Sequence, residues 1–132
     1  MTPATAIQVW NLPSTPCAAS QAREIVRKTL ADRGLAGRAD TTEDIVLVIC
    51  ELVTNALAHA TPPIQMCLAT TSGTIYGGVS DHGAALLRPG SERTVPDLFA
   101  EHGRGLAIVT ACTQTWGIIP RGAEGKMVWF IK

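Results

Sequence analysis

The sequence predicts an α/β protein: a two-layer α/β sandwich whose mixed, mostly antiparallel sheet of about five strands carries about three helices on one face. Stretches with apolar residues at helical spacing and short stretches with strand-like alternation follow in the order β-α-α-β-β-α-β-β. Consecutive strands pair as antiparallel hairpins, and the apolar stripe of each helix must be covered by the sheet. At 132 residues the chain is predicted to form one domain, 1–132.

The first strand and the first helix are marked by their boundaries. Residues 6–10 alternate between apolar and polar side chains, which predicts a short strand. Ser14 or Thr15 can cap a helix that runs to about Arg33 and that Gly34 ends. The apolar stripe that this helix is expected to bury consists of Ala18, Ala22, Ile25, Val26 and Leu30.

The second helix and the segments after it follow from similar signals. Residues 41–44, Thr-Thr-Glu-Asp, resemble a capping box and predict a helix over about 42–60. A hairpin with its turn at 71–73 comes next, although Gly77 and Gly78 weaken its second strand. Residues 82–104 have little periodicity and predict a long loop, which in a compact domain is usually functional or mobile. The other predicted elements are strands at 64–70, 74–80, 115–119 and 126–131 and a helix at 105–112.

The charge balance excludes several classes of function. Eleven Lys and Arg residues offset eleven Asp and Glu residues, so the formal net charge is zero. A protein that binds nucleic acid through its overall field would be basic, so direct nucleic-acid binding is not expected. Hydrophobic residues form 46 % of the chain, which argues against intrinsic disorder. Charged residues form only 17 %, below the roughly 25 % usual for soluble domains, which makes any charge inside a helix conspicuous.

The N-terminal residues and the cysteines predict a cytoplasmic protein. Residues 1–10 lack the basic and apolar regions of a signal peptide. The longest wholly apolar run, 45–50, is far too short to cross a membrane, so no membrane association is expected. None of the four cysteines lies in a C-x-x-C pair, which favours reduced thiols that pack as small hydrophobes.

A narrow polar stripe marks the second helix. Glu51, Asn55 and His59 are spaced four residues apart and fall within an arc of about 80° on the helix. An ordinary solvent face would carry several charges, yet residues 45–60 contain no Lys or Arg. An unpaired buried carboxylate is unfavourable, so Glu51 and Asn55 are predicted to line a pocket for water, a cation or a ligand. The alternative is that the stripe is the exposed edge of a half-buried helix.

Two glycine-containing segments add to this pattern. Asp81 and Gly83 lie where the second hairpin strand ends, although an Asx-turn alone explains such a pair. Gly103 and Gly105 precede an apolar helix, and the free amides of a helix N-terminus bind anions such as phosphate. Helices often begin after glycine, so this G-x-G is weak by itself, and it lacks the rest of a P-loop or dinucleotide fingerprint.

In this order the segments resemble the N-box and the two glycine boxes of the GHKL ATPases. The matching segments are Glu51-Leu52-Val53-Thr54-Asn55-Ala56 with His59, Val79-Ser80-Asp81-His82-Gly83, and Gly103-Arg104-Gly105-Leu106. Within that superfamily the chain is similar to the small anti-sigma-factor serine/threonine kinases. The likeness extends from the first helix to the last strand, 125–129. It implies the Bergerat-type ATP-binding fold, with ATP and Mg²⁺ as ligands.

The resemblance also implies a role for each matching residue. Asn55 would coordinate Mg²⁺ through its side-chain oxygen, a hard donor suited to a hard cation. Asp81 would accept a hydrogen bond from the adenine amino group, and Gly83 would let the base lie close to the backbone. Glu51 would act as general base on a protein hydroxyl that attacks the γ-phosphate. His59 would lie near the phosphates. The phosphate cradle would consist of Gly103, Arg104, Gly105 and Leu106.

The chain departs from the family pattern at three places. The second glycine expected after Asp81 is replaced by Ala85, in the loop 84–102 that would close as a lid. Glu101-His102 stands where well-studied kinases carry an arginine that senses the γ-phosphate; whether Arg93 or Arg104 substitutes for it is open. Lys126-Met127 stands where relatives often have threonines beside the base. These departures favour nucleotide binding over efficient phosphoryl transfer.

Three functions remain in competition. The first is a kinase that phosphorylates a Ser or Thr of an anti-anti-sigma antagonist and sequesters a sigma factor; Glu51 favours it. The second is a nucleotide-gated protein-binding module with little or no kinase activity, which the departures favour. The third, the detached catalytic domain of a histidine kinase, is disfavoured because the chain is short and lacks a phospho-acceptor helix pair. The resemblance also leaves open a homodimer.

Overall fold

The structure is a computed structural model that describes residues 6–35, 37–59, 63–82, 103–120 and 125–132. These residues contain five strands and three helices in the predicted order. Their bounds are β1 Ala6–Leu12, α1 Ala18–Asp32, α2 Ala39–His59, β2 Ile64–Thr71, β3 Thr74–Asp81, α3 Gly103–Cys112, β4 Thr115–Pro120 and β5 Lys126–Ile131. The α/β class and the element order predicted from the sequence are therefore confirmed.

The strands form one open sheet in the order β1-β2-β3-β5-β4, and each neighbouring pair is antiparallel. The predicted hairpin is present, with Thr71 paired to Thr74 across a two-residue turn. Ser72 and Gly73 both have positive φ there, +49° and +82°. Turns of this kind match the right-handed twist of the strands that they join, which explains why the chain reverses at this point.

One face of the sheet and the three helices enclose the core. Alternate residues of β2, β3 and β5, such as Met66, Val79 and Val128, are buried, whereas their neighbours along each strand are mostly more exposed. α2 is the central helix, because it contacts α1, α3 and β3. Its fully buried side chains, such as Val48 and Ile49, each contribute about 1.5–3 kcal/mol relative to exposure. The helices therefore lie on one face, as predicted.

The two adjacent glycines of β3 do not interrupt the strand. Its pairing with β2 and β5 is continuous through Gly77 and Gly78. A Cβ atom at Gly77 would lie 2.4 Å from the ring of Phe130, and one at Gly78 would lie 2.6 Å from the terminal methyl of Met127. Large side chains of β5 thus cross β3 on both faces, and their packing compensates for the side chains that the glycines lack.

The predicted helix starts are wrong by a few residues. α1 begins at Ala18, and its N-cap residue, Cys17, makes no side-chain capping hydrogen bond. α2 begins at Ala39, so Thr41 and Thr42, the first two residues of the predicted capping box, already lie inside the helix, and the N–H of Thr42 bonds to the carbonyl of Arg38. The hydroxyl of Thr42 is buried and has no hydrogen-bond partner among the described residues. No capping box therefore forms.

Other helix boundaries agree with the sequence more closely. Gly34 follows the end of α1 with a φ of +76°, as expected for a glycine that terminates a helix. α3 begins at Gly103 and not at Gly105, so the last two residues of the predicted loop 82–104 are helical. Residues 83–102, the greater part of that loop, lie outside the described residues.

The second face of the sheet is largely apolar and is not covered by the described helices. Ile7 and Val9 of β1 are 68 % and 58 % exposed, and Ile119 at the other edge of the sheet is also exposed. Tyr76 and Trp129 lie between them on the same face. No Lys, Arg, Asp or Glu points outward from the described strands on this side, which we call the uncovered face.

None of the three described helices is long and apolar enough to cross a membrane. The four cysteines all lie in the described residues, and none of them forms a disulfide bond.

Candidate functional site

The polar residues of α2 lie at the edge of the core. Leu52 and Val53 are buried, whereas Glu51 and Asn55, one helical turn apart, are half-buried. We call Glu51 and Asn55 the α2 cluster. Glu51 forms no hydrogen bond or ion pair with another described residue. His59 is the last residue of α2, and the structure describes its backbone alone.

The side-chain oxygen of Asn55 is the most unusual atom of the α2 cluster. It is buried, yet none of the residues that the structure describes donates a hydrogen bond to it. A buried acceptor without a partner is unfavourable by about 1–3 kcal/mol, so a ligand that bonds to such an atom would remove this cost. No group of three or more His, Cys, Asp or Glu residues suited to a metal occurs in the described part of the chain. A Mg²⁺ ion, which binds few protein oxygens and keeps waters and phosphate oxygens, fits this single donor.

The thiol beside Glu51 is held in its protonated form by its surroundings. Burial raises the pKa of the Cys50 thiol, an effect that Glu51 reinforces and that the guanidinium groups of Arg23 and Arg27 oppose. Cys50 therefore stays protonated at neutral pH, and the thiolate rather than the thiol is the reactive form. Glu51 remains as the group in the α2 cluster that can accept a proton.

A second polar group lies where β3 ends and β5 begins. Asp81 is the last residue of β3, Lys126 is the first residue of β5, and the two face each other in the register of the sheet. Lys126 Nζ donates to Asp81 Oδ2 at 2.7 Å. Both residues are buried, with 3 % of Asp81 and 6 % of Lys126 exposed. Burial of both charges away from water strengthens their attraction and makes the loss of either partner costly.

The backbone around Asp81 is held by a close contact with Gly125. A Cβ atom at Gly125 would lie 1.9 Å from the carbonyl oxygen of Asp81 and 2.5 Å from the Cα of His82, so only glycine fits. The φ of Gly125 is +100°, a conformation that side chains other than glycine rarely adopt. His82 Nδ1 lies 3.2 Å from the carbonyl oxygen of Pro63, which joins this turn to the start of β2. We call Asp81, Gly125 and Lys126 the strand-end cluster.

The third helix, α3, begins with two glycines and lies in the same helical layer as α2. Gly103 and Gly105 lie in the first turn of α3, where backbone N–H groups lack partners within the helix. α3 contacts α2, so the glycine-rich turn belongs to a helix that packs against the helix of the α2 cluster. For residues 103–106 the structure describes the backbone alone. Arg104 and Leu106, two of the predicted phosphate-binding residues, are therefore placed by their backbone only. Gly83 lies outside the described residues, as do Ala85, Arg93 and 101–102.

Sequence reasoning missed two features of the strand-end cluster. It noted Lys126 only as a departure from a family pattern, and it did not expect an ion pair with Asp81, 45 residues earlier. It also assigned no role to Gly125. A signal for both exists in hindsight: Gly125 directly precedes the predicted strand 126–131, and Lys126 is a charged residue at the start of an otherwise apolar strand.

The α/β sandwich with its open antiparallel sheet and three helices is the fold of a GHKL-type ATPase domain. The chain belongs to the histidine kinase-like ATPase domain family, which matches residues 12–132.

Comparison with solved structures agrees with this fold. The chain is similar to the crystal structure of the RsbU and RsbW domains of Rv1364c from Mycobacterium tuberculosis, with a TM-score of 0.69 and 23 % sequence identity. The match covers 96 % of this chain but only 32 % of the other, so this chain spans about a third of that protein's length. No curated protein matches the sequence.

Proposed function

We propose that this protein is an ATP-dependent serine/threonine kinase of the anti-sigma type, which phosphorylates an anti-anti-sigma antagonist and sequesters a sigma factor. The observation that carries the proposal is the buried oxygen of Asn55, which has no hydrogen-bond partner among the described residues and lies one helical turn from Glu51. A metal-binding oxygen next to a proton acceptor is what phosphoryl transfer to a hydroxyl requires. The family and the RsbW-containing neighbour support the same choice.

The described residues divide the binding of the nucleotide between them. Asp81 would accept a hydrogen bond from the adenine amino group, because its carboxylate is buried and held in place. The first turn of α3 would receive the phosphates on its backbone N–H groups, an arrangement that favours anions. Asn55 would hold Mg²⁺, which neutralises phosphate charge when bound.

Glu51 would take part in the chemical step. A serine or threonine oxygen of the partner forms a bond to the γ-phosphorus, the bond to the bridging oxygen breaks, and ADP leaves. Glu51 takes the hydroxyl proton, so the charge on the attacking oxygen does not build up. Within the described residues no ion pair occupies this carboxylate, which leaves it available as a base.

The partners in this proposal are proteins. The similar structure contains an RsbU domain and an RsbW domain, which favours a system in which regulatory proteins exchange partners. The chain carries no net charge, which fits recognition of a sigma factor as a protein surface and not as a nucleic-acid mimic. The site of action would be the cytoplasm, where ATP and sigma factors occur together.

A transfer assay tests the proposal directly. The protein is incubated with Mg-ATP and a purified anti-anti-sigma antagonist, and phosphoserine or phosphothreonine is measured by mass spectrometry. Glu51→Gln keeps the shape of the side chain but removes the base, so transfer should fall by about 10²- to 10⁴-fold while ADP binding changes little. Thr54→Ala, an exposed position on the same helix, is the matched control and should leave both unchanged.

Each outcome of this assay has a distinct meaning. Undiminished transfer by Glu51→Gln would remove Glu51 from the mechanism. ADP binding by calorimetry without transfer to any antagonist would instead favour the nucleotide-gated binding module. Absence of ADP binding at millimolar concentration, with or without Mg²⁺, would overturn the proposed function as a whole.

A further inference from the structure

The ammonium group of Lys126 is buried, and the described residues accept a hydrogen bond from only one of its three N–H groups. Asp81 Oδ2 is its hydrogen-bond acceptor within the described residues, and that bond uses one of three N–H groups. The side chain of Lys126 is only 8 % exposed, so bulk water does not easily satisfy the other two. Buried donors that lack acceptors are unfavourable, and a ligand that supplies one gains affinity from it.

The direction of the two side chains places this donor beside the carboxylate on the helix side of the sheet. Asp81 follows Val79 by two residues and Lys126 precedes Val128 by two, so all four side chains leave the same face of the sheet. Val79 and Val128 belong to the core, which is the layer that α2 covers. The Lys126 ammonium and the Asp81 carboxylate therefore form one pair of donor and acceptor on the helix side of the sheet, where β3 ends and β5 begins.

We infer that Lys126 contacts the nucleotide base and donates a hydrogen bond to the N1 atom of adenine. The inference rests on the proposed function, in which Asp81 accepts from the adenine amino group. In adenine the amino group and N1 are attached to the same ring carbon, so a donor lies next to an acceptor. The pair of Asp81 and Lys126 presents the complementary order, an acceptor next to a donor, with 2.7 Å between the two atoms.

This arrangement makes Lys126 a residue that determines base specificity. Guanine and hypoxanthine carry an oxygen in place of the amino group and a hydrogen on N1. Placed in the same orientation, they would bring an acceptor to Asp81 and a donor to Lys126, so both contacts become repulsive. A site that hydrogen-bonds two polar groups of its ligand rejects analogues that reverse them far more strongly than a site with one contact.

Replacement of single ring atoms tests the contact on the unaltered protein. Affinities for ADP, 1-deaza-ADP and 7-deaza-ADP are measured by calorimetry at constant Mg²⁺. Loss of a hydrogen bond to a charged donor weakens binding by about 10- to 150-fold. We expect that loss for 1-deaza-ADP, and an affinity within about threefold of ADP for 7-deaza-ADP, since only the first analogue lacks N1.

A variant without the ammonium group tests whether Lys126 is the donor to N1. In Lys126→Met the ratio between ADP and 1-deaza-ADP should fall to within about threefold, because the donor is absent. Lys132→Met is the matched control: Lys132 also donates to a carboxylate, Asp44 Oδ2, at 2.7 Å, but it lies at the far end of β5. It should keep the ratio of the unaltered protein.

The results separate this inference from the proposed function. If ADP binds and 1-deaza-ADP binds equally well, or if the ratio persists in Lys126→Met, the contact between Lys126 and N1 is wrong while nucleotide binding stands. A loss specific to 7-deaza-ADP also overturns it. If no nucleotide binds, the proposed function and the contact between Lys126 and N1 are both wrong. The comparison of analogues on the unaltered protein decides the matter even where Lys126→Met fails to fold.

Discussion

The α2 cluster and the strand-end cluster differ in how far the protein itself satisfies their polar groups. Asp81 has a buried cationic partner at 2.7 Å and a backbone held by Gly125. Asn55, in contrast, keeps a buried oxygen that no described residue bonds, and Glu51 has no hydrogen bond or ion pair within the same residues. The strand-end cluster is therefore held together by its own contacts, whereas in the proposed function the α2 cluster would gain its missing interaction from a ligand. Substitutions in the strand-end cluster should therefore lower stability, whereas substitutions in the α2 cluster should mainly change ligand binding.

The largest expected effect is the loss of the carboxylate from the strand-end cluster. Asp81→Ala leaves the ammonium of Lys126 buried without its partner, and this should lower the free energy of unfolding by about 3–5 kcal/mol. Urea denaturation measures the change. Asp44→Ala breaks an ion pair of the same length that is partly exposed, and it should change stability by less than about 1 kcal/mol. Equal losses in the two variants would show that burial does not distinguish the pairs.

A somewhat smaller loss is expected from a single added methyl group. Gly125→Ala combines a positive φ with a clash against the carbonyl of Asp81, and the two should cost about 2–4 kcal/mol together. Gly34→Ala is the control, because Gly34 also has a positive φ but has no neighbour within 4 Å of an added Cβ. It should lose only about 1 kcal/mol. Thermal melts that place both variants at the same stability would contradict the close contact at Gly125.

The smallest expected effect on the free energy of unfolding is an increase. Asn55→Leu removes a buried oxygen that no described residue bonds and keeps the size of the side chain, so it should raise the free energy of unfolding by about 1 kcal/mol. The same variant should lose the Mg²⁺-dependent part of ADP affinity in calorimetry. Thr42→Val removes a second buried oxygen without a partner in the described part of the chain and should stabilise the protein without a change in binding. A destabilised Asn55→Leu would mean that the oxygen already has a partner in the protein.

The fold followed from the sequence because its signals are local. Apolar periodicity, the glycine after α1 and the tight turn at Ser72 and Gly73 each act within a few residues, and each prediction was confirmed. The predicted capping box is wrong for a local reason as well: the helix already includes Ala39, so Thr41 lies inside it and cannot cap it. Patterns of this kind locate an element more reliably than they locate its first residue.

The candidate site was predicted less completely because part of it depends on distant contacts. The segments that contain Glu51, Asn55 and Asp81 could be found by motif and spacing. The pair of Asp81 and Lys126 depends on the register between β3 and β5, which no local pattern contains. The same is true of Gly77 and Gly78, whose weak strand propensity is outweighed by the packing of Phe130 and Met127 across them.

The position of Trp129 gives the uncovered face a built-in optical reporter. Its indole ring lies against the backbone of Gly117, where an added Cβ would be 2.8 Å from the ring. The other two tryptophans, Trp10 and Trp116, belong to the opposite side of the sheet, as their pairing with Met66 and Phe130 shows. In a protein with Trp10→Phe and Trp116→Phe, the emission colour would come from Trp129 alone. Any molecule that covers this face would shift that emission to the blue, without a chemical label.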